Sequence, residues 1–508
     1  MPSRPSPIRN TLTNWGGFVL SLLIGFLLSP VIVRELGDSV YGIWVLVASM
    51  IGYLGLLDLG VRGAVIRYVA RFHAQGDHAS ASSIASTAAT VFTLLGVLAV
   101  LGASVLAIGL PVFFHDVPAE VVPEARLALF LGGCGVGVTL VGAVYGGVVG
   151  GLQRFDLTST WAAISQLLRA SLVYLAVTNG YGIVALALIS LASVSVFAVV
   201  TWRLARRLYP EITIRRGLAE RRWVGTIFSF GLTSVMIHAS GMLISQADAI
   251  VIAAFLPVAQ VTFFTIGATL VQHAMAIQRG VTFMIPPMIS ALQAKGSTEG
   301  VKRTILRAAR TLSTLLLPVA VTFIIRGSTF IGLWMGPQYG ELSGRVLDIL
   351  TFRMWFTAGI AVLGTALYGL NRHRTVVPVI IGEAVANLVL SIALVRPLGV
   401  VGVALGTTLP SLLTLFFVTP RIYRRELGIG LGTIVQEIWL RSSVAVLPFA
   451  VATWYVERRW PAHGLLEFFA QVAAILPLAI VGAWFFAVDD EDRTAIRGRL
   501  QRLRRSAA

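Results

Sequence analysis

Charge is scarce in this chain: only 12% of its 508 residues are Asp, Glu, Lys or Arg. A soluble globular protein carries about twice that share, so the composition argues against a water-soluble enzyme. Cysteine is nearly absent too. Cys134 is the single one, in an apolar Gly-rich run, which excludes an intrachain disulfide and a cysteine metal site. The seven histidines are scattered without ligand spacing. There is no Gly-rich phosphate loop ending in Lys-Ser/Thr, no His-Glu-x-x-His and no Gly-x-Ser-x-Gly, so neither ATP-driven work nor hydrolysis by this chain alone is supported. No cofactor is expected. Long polar connections are missing as well; the longest, from about Tyr209 to Arg222, is too short to fold alone.

What is present is apolar residues, 56% of the chain. With about 20 apolar residues per membrane span, windows of that length predict an all-α polytopic membrane protein with fourteen helices. They fall at about 11–33, 40–62, 85–110, 126–150, 157–178, 182–204, 224–255, 259–289, 311–335, 344–370, 376–396, 399–420, 433–456 and 464–487. The first apolar run follows Arg4 and Arg9 as a signal peptide would, but it is span-length and no small-residue cleavage site follows. It is read as a retained first span.

The formal charge of +17 provides an independent test. Lys and Arg collect in cytoplasmic loops, and most basic residues here fall on alternate connections: Arg62 to Arg71, Arg154, Arg203 to Arg222, Lys295 to Arg310, Arg372 to Arg374, Arg421 to Arg425 and the tail after Arg493. The opposite side holds Arg34, Arg126, Arg326, Arg345, Arg353, Arg396, Arg458 and Arg459, while Arg169, Arg279 and Arg441 lie within spans. This pattern places both termini in the cytoplasm. The basic clusters lack interleaved stacking aromatics, so they read as orientation signals and attraction to anionic lipid, not as a nucleic-acid surface. The acidic-then-basic tail from Asp489 reads as a short helix matched to its macrodipole.

Self-comparison shows a repeat at an offset of about 220 residues. Gly60-Val61 and Ala74-Gln75-Gly76 match Gly280-Val281 and Ala294-Lys295-Gly296; Gly151 to Arg154 matches Gly369 to Arg372; Gly182-Ile183-Val184 matches Gly399-Val400-Val401. Two homologous halves of six helices follow, expected to be related by an axis along the membrane normal, as in transporters that place substrate between the halves and alternate access by rocking one against the other. The expected organisation is a first lobe over 1–208, a linker over 209–223, a second lobe over 224–425, two added helices over 426–488 and a basic tail over 489–508.

Ionisable residues at membrane depth are costly and usually face a wet cavity or a partner. Asp58 and Arg62 are four residues apart, the spacing of a pair on one helix face. Arg169 and Arg353 lie deeper, and Arg279 lies near a span end. Asp248 beside Gln246, and Glu383 with Asn387 one turn on, supply acids that either titrate during transport or compensate an arginine. Gly142, Gly146 and Gly150, four residues apart, read as close helix packing.

The segment LGDSVYGIWVLVASMIGYLGLLDLGVRGAVIRYVARFHAQGD (Leu36 to Asp77) resembles the helix 1 to helix 3 region of the polysaccharide transporter family, which includes O-antigen flippases. That family belongs to the multidrug/oligosaccharidyl-lipid/polysaccharide exporter superfamily. SQADAIVIAAFL (from Ser245), FMIPPMISALQAKG (from Phe283), FIGLWMGPQY (from Phe330) and GVVGVALGTTL (from Gly399) are similar to it as well. The resemblance implies two six-helix lobes around a V-shaped cavity and movement of undecaprenyl-diphosphate-linked oligosaccharide to the outer leaflet of a bacterial cytoplasmic (inner) membrane. It implies cationic cavity residues, a role suited to Arg62, Arg169, Arg279 and Arg353. Gln246 and Asn387 are candidates to line the cavity, and Asp58, Asp248 and Glu383 are candidates for ion coupling, by H+ or Na+, or for charge pairing. The first span offers Asn14 and no arginine. Expected partners are the lipid-linked substrate, membrane lipids and other polysaccharide assembly proteins, with the chain acting as a monomer. The competing functions are an ion-coupled multidrug/cation exporter, which favours an acidic cavity, and a membrane-embedded polymerase or ligase, which needs a large external catalytic loop.

Overall fold

The computed structural model describes residues 7–229, 232–490 and 493–494. Arg4 and the basic tail beyond Thr494 fall outside them, as does the side chain of Asn14. The described regular structure is helical: α1 (Pro7–Leu36), α2 (Asp38–Leu54), α3 (Val61–Gln75), α4 (His78–Phe113), α5 (Val122–Gly151), α6 (Phe155–Thr178), α7 (Ile183–Leu208), α8 (Arg221–Ser229), α9 (Leu232–Phe255), α10 (Ala259–Thr282), α11 (Ile285–Ala294), α12 (Thr298–Trp334), α13 (Pro337–Gly369), α14 (Val377–Leu413), α15 (Thr419–Leu427), α16 (Leu431–Ile434), α17 (Arg441–Arg459) and α18 (Leu465–Gly482). π-helical turns join α14 to α15 and α16 to α17.

Among the described residues, twelve segments are long and apolar enough to cross a membrane. The fourteen-helix architecture includes two more crossings for physical reasons. Segment 373–427 is divided at Gly399, whose φ of 61° and ψ of −145° end one helix and start another. α10 has span length, but Gln260, Thr262, Gln272, His273, Gln278 and Arg279 lower its hydropathy.

Two expected helices are broken. The helix expected over 40–62 stops at Leu54, passes through a 3-10 turn over Gly55–Asp58, and restarts at Val61 after Leu59 and Gly60 take left-handed φ values of 47° and 73°. Asp58 and Arg62 therefore do not share one helix face, and the i,i+4 pair does not form. Asp58 Oδ1 is instead buried without a hydrogen-bond partner. The helix expected over 259–289 ends at Thr282, and α11 begins with Pro286 in its first turn, where proline is favoured. α12 starts 13 residues before the expected position, taking up the basic stretch Lys302 to Arg310.

The chain forms two compact units, 1–262 and 263–508. The first is built on α5, which packs against α2, α3, α4 and α7, while α1 packs on α6 and α9 on α2. Its core joins Val61, Val65 and Val69 of α3 to Ile84, Ala88 and Phe92 of α4 and to Leu140, Val144 and Val148 of α5. In the second unit α12 packs on α13 and α17, with Ile305, Leu312, Leu316, Leu363, Leu367 and Ile438 in its core.

The repeat offset appears in the backbone of each unit. Gly76 and Gly296 both adopt φ near 70°, each followed by a capping residue: Asp77 accepts from the Ser80 N–H at 2.9 Å and Ser297 from the Gly300 N–H at 3.2 Å. Gln153 and Asn371 share φ values of 60° and 57°. These matches are the turns that reverse the chain between helices.

The polar segment after α7 is bonded along one face of α4. Thr213, Arg215 and Glu220 donate backbone N–H groups to Ser82, Ser86 and Thr87, at 3.0, 3.1 and 2.9 Å. Ser83 Oγ donates to Glu220 Oε1 at 2.5 Å and accepts from Trp223 Nε1 at 3.0 Å. The Ser83 hydrogen bond, helped by Arg222, holds the Glu220 carboxyl below its usual range. A lowered folded pKa adds attachment that is complete above the unfolded value and lost as pH falls through the folded one. Protection of the amides over 209–220, taken as the exchange rate relative to the unfolded chain at the same pH, is therefore expected to fall on acidification, and Glu220→Gln is expected to remove that dependence. Protection that is flat with pH in the parent protein would contradict it.

The last two helices are fastened to α12 at two levels. Arg310 is buried and bonds Glu437 at 3.0 Å and Asp489, and Arg441 bonds the same two acids at 3.1 and 3.0 Å. Asp489 is thus an ion-pair partner of α12 and α17, and its carbonyl also accepts from the Arg493 N–H at 2.9 Å, the first bond of the expected tail helix. Sixteen residues on, about 24 Å at 1.5 Å per residue, Arg326 is fully buried, bonding Glu457 at 2.7 Å and Gln471 at 2.6 Å. Its guanidinium lies 4.5 Å from the Phe468 ring centre.

Candidate functional site

Within the first unit, α5, α6 and α7 enclose a cavity of about 380 Å³ that holds two of the expected arginines, Arg62 and Arg169. Arg62 enters from the first turn of α3, directly after the Leu59–Gly60 break. α6 contributes Ala162, Ser165, Gln166 and Arg169, at the i, i+3, i+4, i+7 spacing of one helix face. α7 contributes Ser190, Ser193, Val194 and Phe197. Gly146 of α5 lines this cavity, and a Cβ there would meet nothing within 4 Å, so it is not the close-packing position that its spacing suggests. Gly142 does pack, with Ala198 2.9 Å from where its Cβ would be.

The hydrogen-bonding capacity of the cavity is lopsided. Ser190, Ser193 and Thr139 each donate their hydroxyl hydrogen to a carbonyl one turn back on their own helix, at 2.8 Å in each case. Gln166 uses its carbonyl to accept from Ser21 of α1 at 2.9 Å, which leaves its amide N–H groups. The remaining donors are the Ser165 hydroxyl and two guanidiniums, and no Asp or Glu is among the described lining residues. A cavity on membrane-spanning helices with fixed positive charge and no internal counter-charge is suited to an anion. Guanidinium forks match phosphate and carboxylate oxygens in pairs.

The other expected residues lie elsewhere. On α9, Asp248 is buried beside Tyr53, and Gln246 packs on Gly52 of α2, its Cδ 3.2 Å from a Cβ built there. In the second unit Arg353 is half-buried on α13, with Nη2 3.8 Å from Met275 Sδ on α10. Arg279 is exposed one turn further along α10 on the same face as Met275, so Arg353 and Arg279 approach one surface of α10. Glu383 accepts from Thr414 at 3.1 Å, and Asn387 donates to Thr407 at 2.8 Å. These bonds join the two parts of α14 and its π-helical extension across the Gly399 break.

Sequence reasoning missed Ser165, Gln166, Ser190 and Ser193. Their signal was available as polar residues at helical spacing on two otherwise apolar spans. It also missed the Arg326–Glu457 pair, because the partners lie 131 residues apart and spacing reports no such pairing.

The chain matches the family model described as Polysaccharide biosynthesis protein over residues 8–293, and the one described as Lipid II flippase MurJ over residues 229–474. It is 23% identical over 468 residues to the uncharacterized membrane protein EpsK of Bacillus subtilis (strain 168), covering 88% of each chain. Among solved structures it is similar to the lipid II flippase MurJ in an inward closed conformation, with a TM-score of 0.71, 10% identity, and coverage of 94% of this chain and 98% of that one. It is also similar to an inward-facing multidrug resistance MATE family transporter of the MOP superfamily, with a TM-score of 0.65, 16% identity, and coverage of 82% and 99%. Fourteen helices in this arrangement have the fold of those transporters, and since one family model matches more than half of the residues, the chain belongs to the polysaccharide biosynthesis protein family.

Proposed function

We propose that the protein is a flippase that moves undecaprenyl-diphosphate-linked oligosaccharide across the bacterial cytoplasmic membrane by alternating access, with both termini in the cytoplasm. The observation that carries this reading is the acid-free cavity holding Arg62 and Arg169 on membrane-spanning helices. A sugar head group and its diphosphate cannot cross hydrocarbon unaided, whereas the lipid tail can remain in the bilayer. The protein therefore has to supply polar groups and positive charge, and the cavity supplies both. A cation exporter needs the opposite polarity, so the arginines favour the glycan reading. Family membership in polysaccharide biosynthesis, and the match to lipid II flippase MurJ, support it independently. Asp58, whose buried Oδ1 lacks a partner, is the strongest candidate of the three acids for coupling to H+ or Na+.

The test is reconstitution of the purified protein into vesicles with labelled lipid-linked oligosaccharide, measuring leaflet transfer. In the second unit, Arg353→Ala or Arg279→Ala is expected to lower export by about tenfold or more, since a hydrogen bond to a charged group contributes about 1.5–3 kcal/mol, with no loss of folded protein. Wild-type surface polysaccharide in both variants would remove these residues from the transport path.

A further inference from the structure

On the first unit, a second cavity of about 620 Å³ runs between α4, α5 and α7, and its character is opposite to that of the arginine site. Its lining is mainly apolar, with Gly96, Val100, Gly137, Val138 and Val141 among others, and the polar atoms come from Thr93, Cys134, Tyr145 and Trp202. The hydroxyl of Thr93 is already committed to the Ala89 carbonyl at 2.7 Å, so it does not ask for a polar ligand. Gly96 and Gly137 close the floor of the groove, where α4 and α5 pack backbone to backbone; a Cβ on Gly96 would lie 3.2 Å from Gly137 Cα. Its rim residues Val97, Leu101 and Val199 are 55%, 57% and 47% exposed on spans that a bilayer would surround.

One end of the groove is not apolar. Trp202 lines it there, and the exposed Arg206 guanidinium lies 4.6 Å from the Trp202 ring centre. Arg203 and Arg207 are exposed on the same final turns of α7. A guanidinium stacked over an indole keeps its edge N–H groups available for an oxygen ligand. Tryptophan and arginine at a span end mark the head-group level of a membrane.

We propose that this groove is a binding site for one anionic phospholipid, its acyl chain lying between α4 and α7 and its phosphate on Arg206. The apolar lining selects hydrocarbon, and the positive end selects a negatively charged head group. Gly142 and Ala198 line both this groove and the arginine cavity. The bound lipid therefore braces the α5–α7 seam that forms one wall of the transport site. Lipid retention is measured without transported substrate, so the proposal stands or falls separately from the flippase reading.

The experiment is native mass spectrometry of the full chain released from detergent containing equal amounts of phosphatidylglycerol and phosphatidylcholine. It is combined with peptide mapping after irradiation with a phosphatidylglycerol carrying a diazirine on its acyl chain. The wild-type chain is expected to keep one phospholipid and to prefer phosphatidylglycerol by about fivefold, the factor one surface arginine contributes toward anionic lipid. Arg206→Gln is expected to lose the preference while keeping the chain contact. Val138→Trp, which fills the groove floor, is expected to lose the retained lipid, and crosslinks in the wild type are expected within 93–101 and 134–145. Crosslinks elsewhere would overturn the proposal even if Val138→Trp failed to fold. So would equal retention of both lipids by the wild type, a retained isoprenoid phosphate in place of phospholipid, or occupancy by a second copy of the chain seen as a dimer.

Discussion

Glu457→Ala is expected to destabilise the protein by about 3–5 kcal/mol, the cost of leaving a buried charge without its partner. The reason is local. Arg326 is completely buried, and its Nε and Nη2 are committed to Glu457 and Gln471, while Thr329 also donates to Glu457. Nη1 already lacks a hydrogen-bond partner, so the site has no spare acceptor to offer when the carboxylate is removed. Water would enter, or α17 and α18 would separate from α12. Thermal unfolding in detergent, followed by size-exclusion chromatography, checks this: the single variant should lose its monodisperse peak at a much lower temperature. Arg326→Met combined with Glu457→Leu should recover most of the loss, because removing both charges also removes the desolvation penalty. A single variant as stable as the parent would show that the pair does not hold the appended helices.

The second large effect is expected at the arginine cavity. Arg62 and Arg169 are both exposed, so their replacement by Gln should leave the fold intact. Each loss removes a charge-assisted contact contributing about 1.5–3 kcal/mol, and a double variant should reduce transfer by about a hundredfold or more if the two contacts act independently. Lysine replacements should restore part of the rate, since they keep the charge but lose the paired fork. Full recovery by lysine would show that field alone matters, and that the planar geometry of the guanidinium does not.

Much of the fold was legible because a bilayer imposes one requirement, about 20 apolar residues per crossing, and the chain meets it repeatedly. The repeat was legible for a different reason. Gly76 and Gly296 sit where φ must be positive, and Gln153 and Asn371 occupy the matching left-handed turns. What stayed hidden was local geometry inside apolar text. Leu59 and Gly60 interrupt a run that reads as one helix, and Asp58 beside them reads as a charge on that helix and not as a turn. Asp58 and Arg62 were recognised by their cost in hydrocarbon, but their supposed pairing depended on a continuous helix that does not exist. Arg169 was found by the same rule, whereas Ser190 and Ser193 were not, because a serine bonded to its own helix raises no hydropathy signal. The ion pairs of Arg310 and Arg326 reach partners 127 and 131 residues away, which periodicity and spacing do not report.

We propose that positive charge in the first-unit cavity carries an anionic lipid-linked glycan across the membrane. The most direct test is leaflet transfer of labelled undecaprenyl-diphosphate-linked oligosaccharide in reconstituted vesicles, comparing the parent protein with Arg62→Gln/Arg169→Gln at equal amounts of folded protein. The expected result is transfer by the parent and near-background transfer by the double variant. Transfer at the parental rate by the double variant, or none by the parent, would contradict it.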